Sequence, residues 1–196
     1  MDVHTVSKDA ESVSGGGCVV KKYKTIYADP PWMEVGGGKI KRGADAHYHL
    51  MKTSDIMALP VRDIVDPEGC HLYLWTTNNF LREAFDVVDA WGFEYVTTIT
   101  WMKDKIGLGQ YYRGITEHCL FCRTKNVLPY KIENGHRVQG VTGFVEAKST
   151  HSTKPRTMRE MIERVSYAPR IELFARTRFD GWDAWGDEID SDIDLR

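Results

Sequence analysis

Two adjacent prolines, Pro30 and Pro31, stand one residue beyond the β-type run Lys24–Ala28, after Asp29. Each fixes φ and neither can donate a backbone N–H, so helix and sheet both stop there. The run is therefore predicted as a strand that meets a rigid turn, Asp29-Pro30-Pro31-Trp32. The glycines 36–38 and Gly43 mark 33–47 as a loop, Thr53-Ser54-Asp55 offers a cap for a short helix ending before Pro60, and Cys70–Thr76 reads as a buried strand. From Asn79 onward, Phe80, Leu81, Ala84, Val87, Val88 and Trp91 share one helical face, and Gly92 supplies the stop. Tyr95–Trp101 and His118–Cys122 read as strands, and 126–150 as a hairpin or loop excursion. Pro155 opens a helix whose apolar face is Met158, Met161, Ile162 and Val165; Ile171–Ala175 is a last buried strand. Strands alternating with helices predict an α/β sheet with helices on both faces and function at the carboxyl ends of the strands. Asp29 stands at such an end.

The length of 196 residues suits one domain, which we place at 19–188, between a loose polar leader at 1–18 and an acidic, solvated tail at 189–196. No apolar run approaches the roughly 20 residues needed to cross a bilayer, so a cytoplasmic chain without membrane partners is expected. Cys119 and Cys122 have metal-ligand spacing, but no second such pair exists; they are read as two thiols on a buried strand, and no metal site is predicted. The net charge of −2 hides an asymmetry: seven acids and one base lie in 180–196, whereas eight bases and three acids lie in 148–178. The mildly basic body and the glycine-flanked Lys39-Ile40-Lys41-Arg42 suit phosphate contacts, and solvated surface charge explains them equally well.

The Asp29–Trp32 turn combines a carboxylate, carbonyls beside prolines that bring no competing N–H, and an indole face. Such an acceptor-rich turn suits an exocyclic amine of a planar base, whose lone pair is delocalised until acceptors hold its hydrogens. A base stacked on an aromatic ring gains about 1–3 kcal/mol. A tight turn with a packed tryptophan is the plain alternative.

Further strings accompany the turn in order: His47-Tyr48-His49-Leu50-Met51, Leu72-Tyr73-Leu74-Trp75, Ala90-Trp91-Gly92-Phe93, Thr100-Trp101-Met102-Lys103, Gly107-Leu108-Gly109, Arg113 and Thr116-Glu117-His118. Lys154-Pro155, Ile171-Glu172-Leu173-Phe174-Ala175-Arg176 and Gly181-Trp182-Asp183-Ala184-Trp185-Gly186-Asp187-Glu188 complete the set. Together, over 23–188, the chain resembles the MT-A70 family of S-adenosylmethionine-dependent adenine N6-methyltransferases, in its compact bacterial or phage form. The resemblance implies a Rossmann-like methyltransferase fold in permuted order, with the catalytic strand early and the cofactor strand late.

By that resemblance, Asp29, Pro30, Pro31 and Trp32 form the catalytic turn, and Trp32, Tyr48, Trp101, Lys103, Arg113 and Glu117 line the target-base pocket. Lys39, Lys41 and Arg42 would grip the strand. Asp29, Lys154, Glu172, Arg176, Asp187 and Glu188 would hold S-adenosylmethionine, with Lys154 on its methionine carboxylate and Asp187 standing where relatives often carry asparagine. The implied partner is nucleic acid, DNA ahead of RNA, with a homodimer or a partner subunit as a further expectation. The rival readings are an RNA adenine methyltransferase, a non-catalytic nucleic-acid-binding subunit, and methylation of another planar amine or amide. Read from the residues alone, Trp75, Trp91 and Trp182 are packing residues, Trp101 is pocket or core, and His118 is a hydrogen-bonded structural histidine.

Overall fold

The computed structural model describes residues 21–33, 50–107, 111–148 and 153–196. The expectations for Lys39, Lys41, Arg42 and Tyr48 lie outside the described residues.

Seven strands form one sheet in the order β7-β3-β4-β2-β1-β8-β9. They are β1 (Thr25–Ala28), β2 (His71–Thr76), β3 (Glu94–Met102), β4 (Thr116–Arg123), β7 (Gly143–Val145), β8 (Arg170–Leu173) and β9 (Asp183–Trp185). β5 (Ile132–Glu133) and β6 (His136–Arg137) pair as a separate hairpin. β1 pairs in parallel with β2 and β8, β8 with β9, and β3 with β7. Only β4 is reversed among them, antiparallel to both β2 and β3. The carboxyl ends of six strands and the start of β4 therefore share one edge, with Ala28 opposite Leu74 and Leu173, and Met102 opposite Thr116.

Strand alternation sorts the apolar side chains into two layers. Ile26, Ala28, Leu72, Leu74, Leu120, Cys122, Ile171 and Leu173 face one layer, under α1 (Thr53–Met57) and α2 (Leu81–Ala90). Tyr27, Tyr73, Trp75, Ile99, Trp101 and Cys119 face the other, under α3 (Arg156–Val165), which contributes Met158 and Ile162. Cys119 and Cys122, three apart on β4, thus point into opposite layers and cannot share a ligand. On α2 the buried residues are Ala84, Val87 and Val88, at helical spacing. Trp91 Nε1 donates to Ile56 O at 3.0 Å, tying α2 to α1, and Gly92 ends the helix at φ 78°.

Several local expectations are corrected. Lys52, not a Thr53–Asp55 side chain, occupies the N-cap of α1 and makes no side-chain capping bond; Asp55 sits inside the first turn, beside the positive end of the helix. The 126–150 excursion includes both the β5–β6 hairpin and β7, which joins the main sheet. The acidic run after Glu188 is not a purely solvated end: Leu195 is 3% exposed in the first layer, and Asp192 accepts from the Ala184 N–H at 2.8 Å. Hydrophilic composition concealed these anchors.

Candidate active site

The Asp29–Trp32 turn leaves the end of β1 and is locked from several sides. The Trp32 N–H donates to Pro30 O at 2.9 Å, and Pro31 O accepts from the Met51 N–H at 2.8 Å. Each carbonyl keeps a second lone pair for a ligand. Trp32 Nε1 donates to Trp75 O at 3.1 Å, and its ring stacks on Phe80 at 5.6 Å between centroids and 17° between planes. The half-buried indole therefore presents a fixed planar surface beside Asp29.

Four charges converge on that edge from four parts of the chain. Lys154, just before α3, places Nζ 2.7 Å from Asp29 Oδ1, 2.8 Å from Oδ2 and 3.4 Å from Glu117 Oε2. Lys103, just after β3, pairs with the other Glu117 oxygen. The ammoniums also lie over aromatic rings, Lys154 at 5.3 Å from Trp75 and Lys103 at 5.1 Å from Trp101. All four side chains are 16–23% exposed, so the charges interact through a medium poorer in water than the surface. Burial pushes the Glu117 carboxyl up, but Lys154 and Lys103 outweigh it and leave the group below the usual carboxylate range. Burial likewise works against the Lys154 charge, and Asp29 and Glu117 overcome it, raising its pKa above the ordinary lysine value.

Two clefts meet at Asp29. One, of about 200 Å³, is lined by Asp29, Pro31, Met51, Phe174, Arg176, Asp187, Glu188 and Arg196, among others. The second runs under α3 past Lys154, Arg159 and Glu172 and shares Asp29, Phe174 and Arg176 with the first. The second, of about 520 Å³, lies within the usual range of small-molecule sites, roughly 300–1,000 Å³. Phe174, between the two, holds a left-handed backbone at φ 61°, a conformation costly for an aromatic residue and typical of functional sites. Glu172 pairs with Arg159 at 2.5 Å; burial raises its pKa and Arg159 opposes the rise. Arg159 is itself packed 3.7 Å from the Phe179 ring centre, and its Nη1 has no hydrogen-bond partner among the described residues.

Of the residues expected at the site, Asp29, Pro30, Pro31, Trp32, Lys103, Glu117 and Lys154 come together, and Arg176, Asp187 and Glu188 line the adjoining cleft. Trp101 is 3% exposed, donates Nε1 to Glu146 O at 2.8 Å and meets Trp75 edge-on at 6.2 Å, so it forms the floor under Lys103 and no open wall. Arg113 is exposed and donates to Gly107 O at 2.9 Å, apart from the charged cluster. Glu172 is engaged by Arg159. His118 bonds Thr100 at 3.1 Å and Asn78 at 2.9 Å, as a structural histidine would. Sequence reasoning missed Phe80 as the stacking support of Trp32, because its helical spacing accounted for it fully. It also missed Arg159, one base among eight, and Arg196, alone in an acidic run.

The MT-A70 family model matches residues 23–188. The chain belongs to the MT-A70 family. The type II methyltransferase M.MunI of a Mycoplasma species is 32% identical, covering 89% of this chain and 82% of that one. The N(6)-adenosine-methyltransferase MT-A70-like protein of Drosophila melanogaster is 28% identical over 88% of this chain but 28% of its own length. The human N(6)-adenosine-methyltransferase catalytic subunit METTL3 is 28% identical over 88% of this chain and 29% of its own. The chain thus spans most of the bacterial relative and under a third of the animal ones. As an MT-A70 protein it is a methyltransferase of α/β fold, and the matched region contains the turn, the charged cluster and the lining of both clefts except Arg196.

Proposed function

We propose that this chain transfers a methyl group from S-adenosylmethionine to the N6 amine of adenine in DNA. The observation that carries the reading is Asp29, a carboxylate at the junction of two clefts beside the fixed Trp32 plane. The donor set fits the cofactor. Asp187 and Glu188 can accept from ribose hydroxyls, Arg176 can donate to ring or sugar oxygen and nitrogen atoms, and the Lys154 and Arg159 cations suit an amino-acid carboxylate. When bound, the sulfonium supplies an activated methyl group.

The chain's own residues do the rest. Trp32 stacks the target base. Asp29 and the free lone pairs of the Pro30 and Pro31 carbonyls accept the amine hydrogens, drawing the nitrogen lone pair out of conjugation and toward the donor cleft. As the nitrogen becomes positive, the same acceptors stabilise the charge, already oriented, in a site shielded by the aromatic floor. The surplus proton leaves to water, so no side chain is assigned as general base. A target adenine in duplex must first be extruded, at a few kcal/mol.

DNA is preferred because the relative sharing four fifths of its length with this chain is a type II methyltransferase. RNA adenine is the second reading, favoured by the adenosine methyltransferases that match over a smaller part of their length. Sequence selection falls to the 33–47 and 126–150 segments, to a second copy or to a partner subunit. No helix among the described residues is long and apolar enough to cross a membrane.

The test is transfer from labelled S-adenosylmethionine to matched DNA and RNA oligonucleotides, single- and double-stranded, digested to nucleosides, with Asp29→Ala as control. Label in N6-methyladenine from DNA that disappears in Asp29→Ala is expected. Label from RNA alone selects the second reading, and label in another nucleoside overturns both.

A further inference from the structure

We propose that Arg196 belongs to the cofactor site, its guanidinium donating to the acceptor edge of the bound adenosine group while Asp187 holds it in place. The assignment rests on the S-adenosylmethionine reading above. Arg196 and Asp187 pair at the wall of the first cleft, and the guanidinium carbon lies 5.5 Å from the Trp185 ring centre.

The segment that delivers Arg196 is built into the fold. Asp192 and Ala184 exchange backbone and side-chain bonds at 2.9 and 2.8 Å, and Arg178 donates to the other Asp192 oxygen at 2.5 Å. Ser191 Oγ accepts from the Gly186 N–H at 3.1 Å, directly beside the cleft. Ile193 and Leu195 pack into the layer under α1 and α2. Only then does the Arg196 side chain emerge, 66% exposed, next to Asp187 and Glu188.

A donor beside Asp187 and Glu188 complements the acceptors they bring to the wall. Asp187 and Glu188 only accept when ionised, which suits hydroxyls and an exocyclic amine but repels the ring nitrogens of adenine. Arg176, 3.9 Å from Glu188, lines both clefts together with Asp29, whereas Arg196 lines the first. A guanidinium has five N–H donors in a planar fork, so Arg196 can engage Asp187 with one edge and turn another to the ligand. An amide at position 187 would combine acceptor and donor in one side chain, which gives a rescue.

Binding of S-adenosylmethionine and S-adenosylhomocysteine is measured by titration calorimetry for the wild-type chain, Arg196→Ala, Asp187→Asn and the double variant, with thermal unfolding as a folding check. Arg196→Ala is expected to weaken both ligands about tenfold, and adding Asp187→Asn to recover most of the loss. Unchanged affinity in Arg196→Ala makes the pair a surface ion pair only and overturns the assignment. Tighter binding overturns it too, since the guanidinium would then occupy the ligand's place. If the wild-type chain binds neither ligand, the cofactor reading fails and this inference with it; binding that is indifferent to Arg196 sinks the inference alone.

Discussion

At Lys154 a single ammonium answers two carboxylates, Asp29 and Glu117, in a partly buried site. Removing one partner of such a cluster leaves charge without compensation, which costs more than the pair contributes. Lys154→Met is therefore expected to lose about 3 kcal/mol of stability at pH 7.5 by urea unfolding. The sign of the pH effect follows from Glu117, whose folded pKa is depressed: its stabilising contribution exists above the unfolded carboxylate value and fades as pH falls through the folded one. In Lys154→Met that depression is reduced, so the gap between variant and wild type narrows at pH 4.5. A gap that stays constant refutes the triad account. Asp29 and Lys154 lie 125 positions apart, so no spacing rule could join them; the resemblance did, through motifs met in order. Arg196 was illegible for the opposite reason, its partners being contributed by folding alone.

Among the elements, α2 and α3 were legible because their apolar residues repeat at the helical period, and β1 and β2 because buried strands read as continuous apolar runs. β9 escaped as a strand, since three residues with tryptophans nearby carry no period. Its exit is tightly constrained: a Cβ on Gly186 would lie 2.2 Å from Ala175 O, across the β8–β9 seam. Gly186→Ala is expected to cost about 2–3 kcal/mol in chemical unfolding and to weaken cofactor binding; a neutral result would mean the seam is loose. The start of β2 has its own signature. His71 Nδ1 meets Ser166 Oγ at 2.7 Å, and burial, then Arg123 and Lys131, lower its pKa to about 4. A lowered histidine stabilises the fold above its unfolded value and loses that contribution as pH drops from 6.5 toward 4. His71→Phe should flatten the stability profile in that window, and an unchanged slope would exclude His71 as its source.

For the molecule as a whole, the two apolar layers share the same central strands, with neighbouring residues of β1, β2 and β4 facing opposite sides. Neither layer can persist without the other. Ile56→Ala in one and Ile162→Ala in the other should each cost about 2–5 kcal/mol and shift one common transition. Far-ultraviolet dichroism and tryptophan fluorescence would separate if the layers were independent. The α/β class was legible from alternation, whereas the reversal of β4 was not, since a buried strand looks the same in either direction.

That reversal has a practical side. Because β3 runs up to the edge that holds Asp29 and β4 starts down from it, the connection between them begins and returns at the same place, with the Lys103 N–H bonded to Ile115 O at 2.7 Å across its base. The joint is closed below the tip, so a segment of different length or composition can be grafted between Gly107 and Gly114, themselves bonded at 2.7 Å, without disturbing strand register. Tyr111 and Tyr112 stand there almost fully exposed. A change of length between the two glycines is absorbed above the closed joint, and Lys103 and Glu117 below it keep their places.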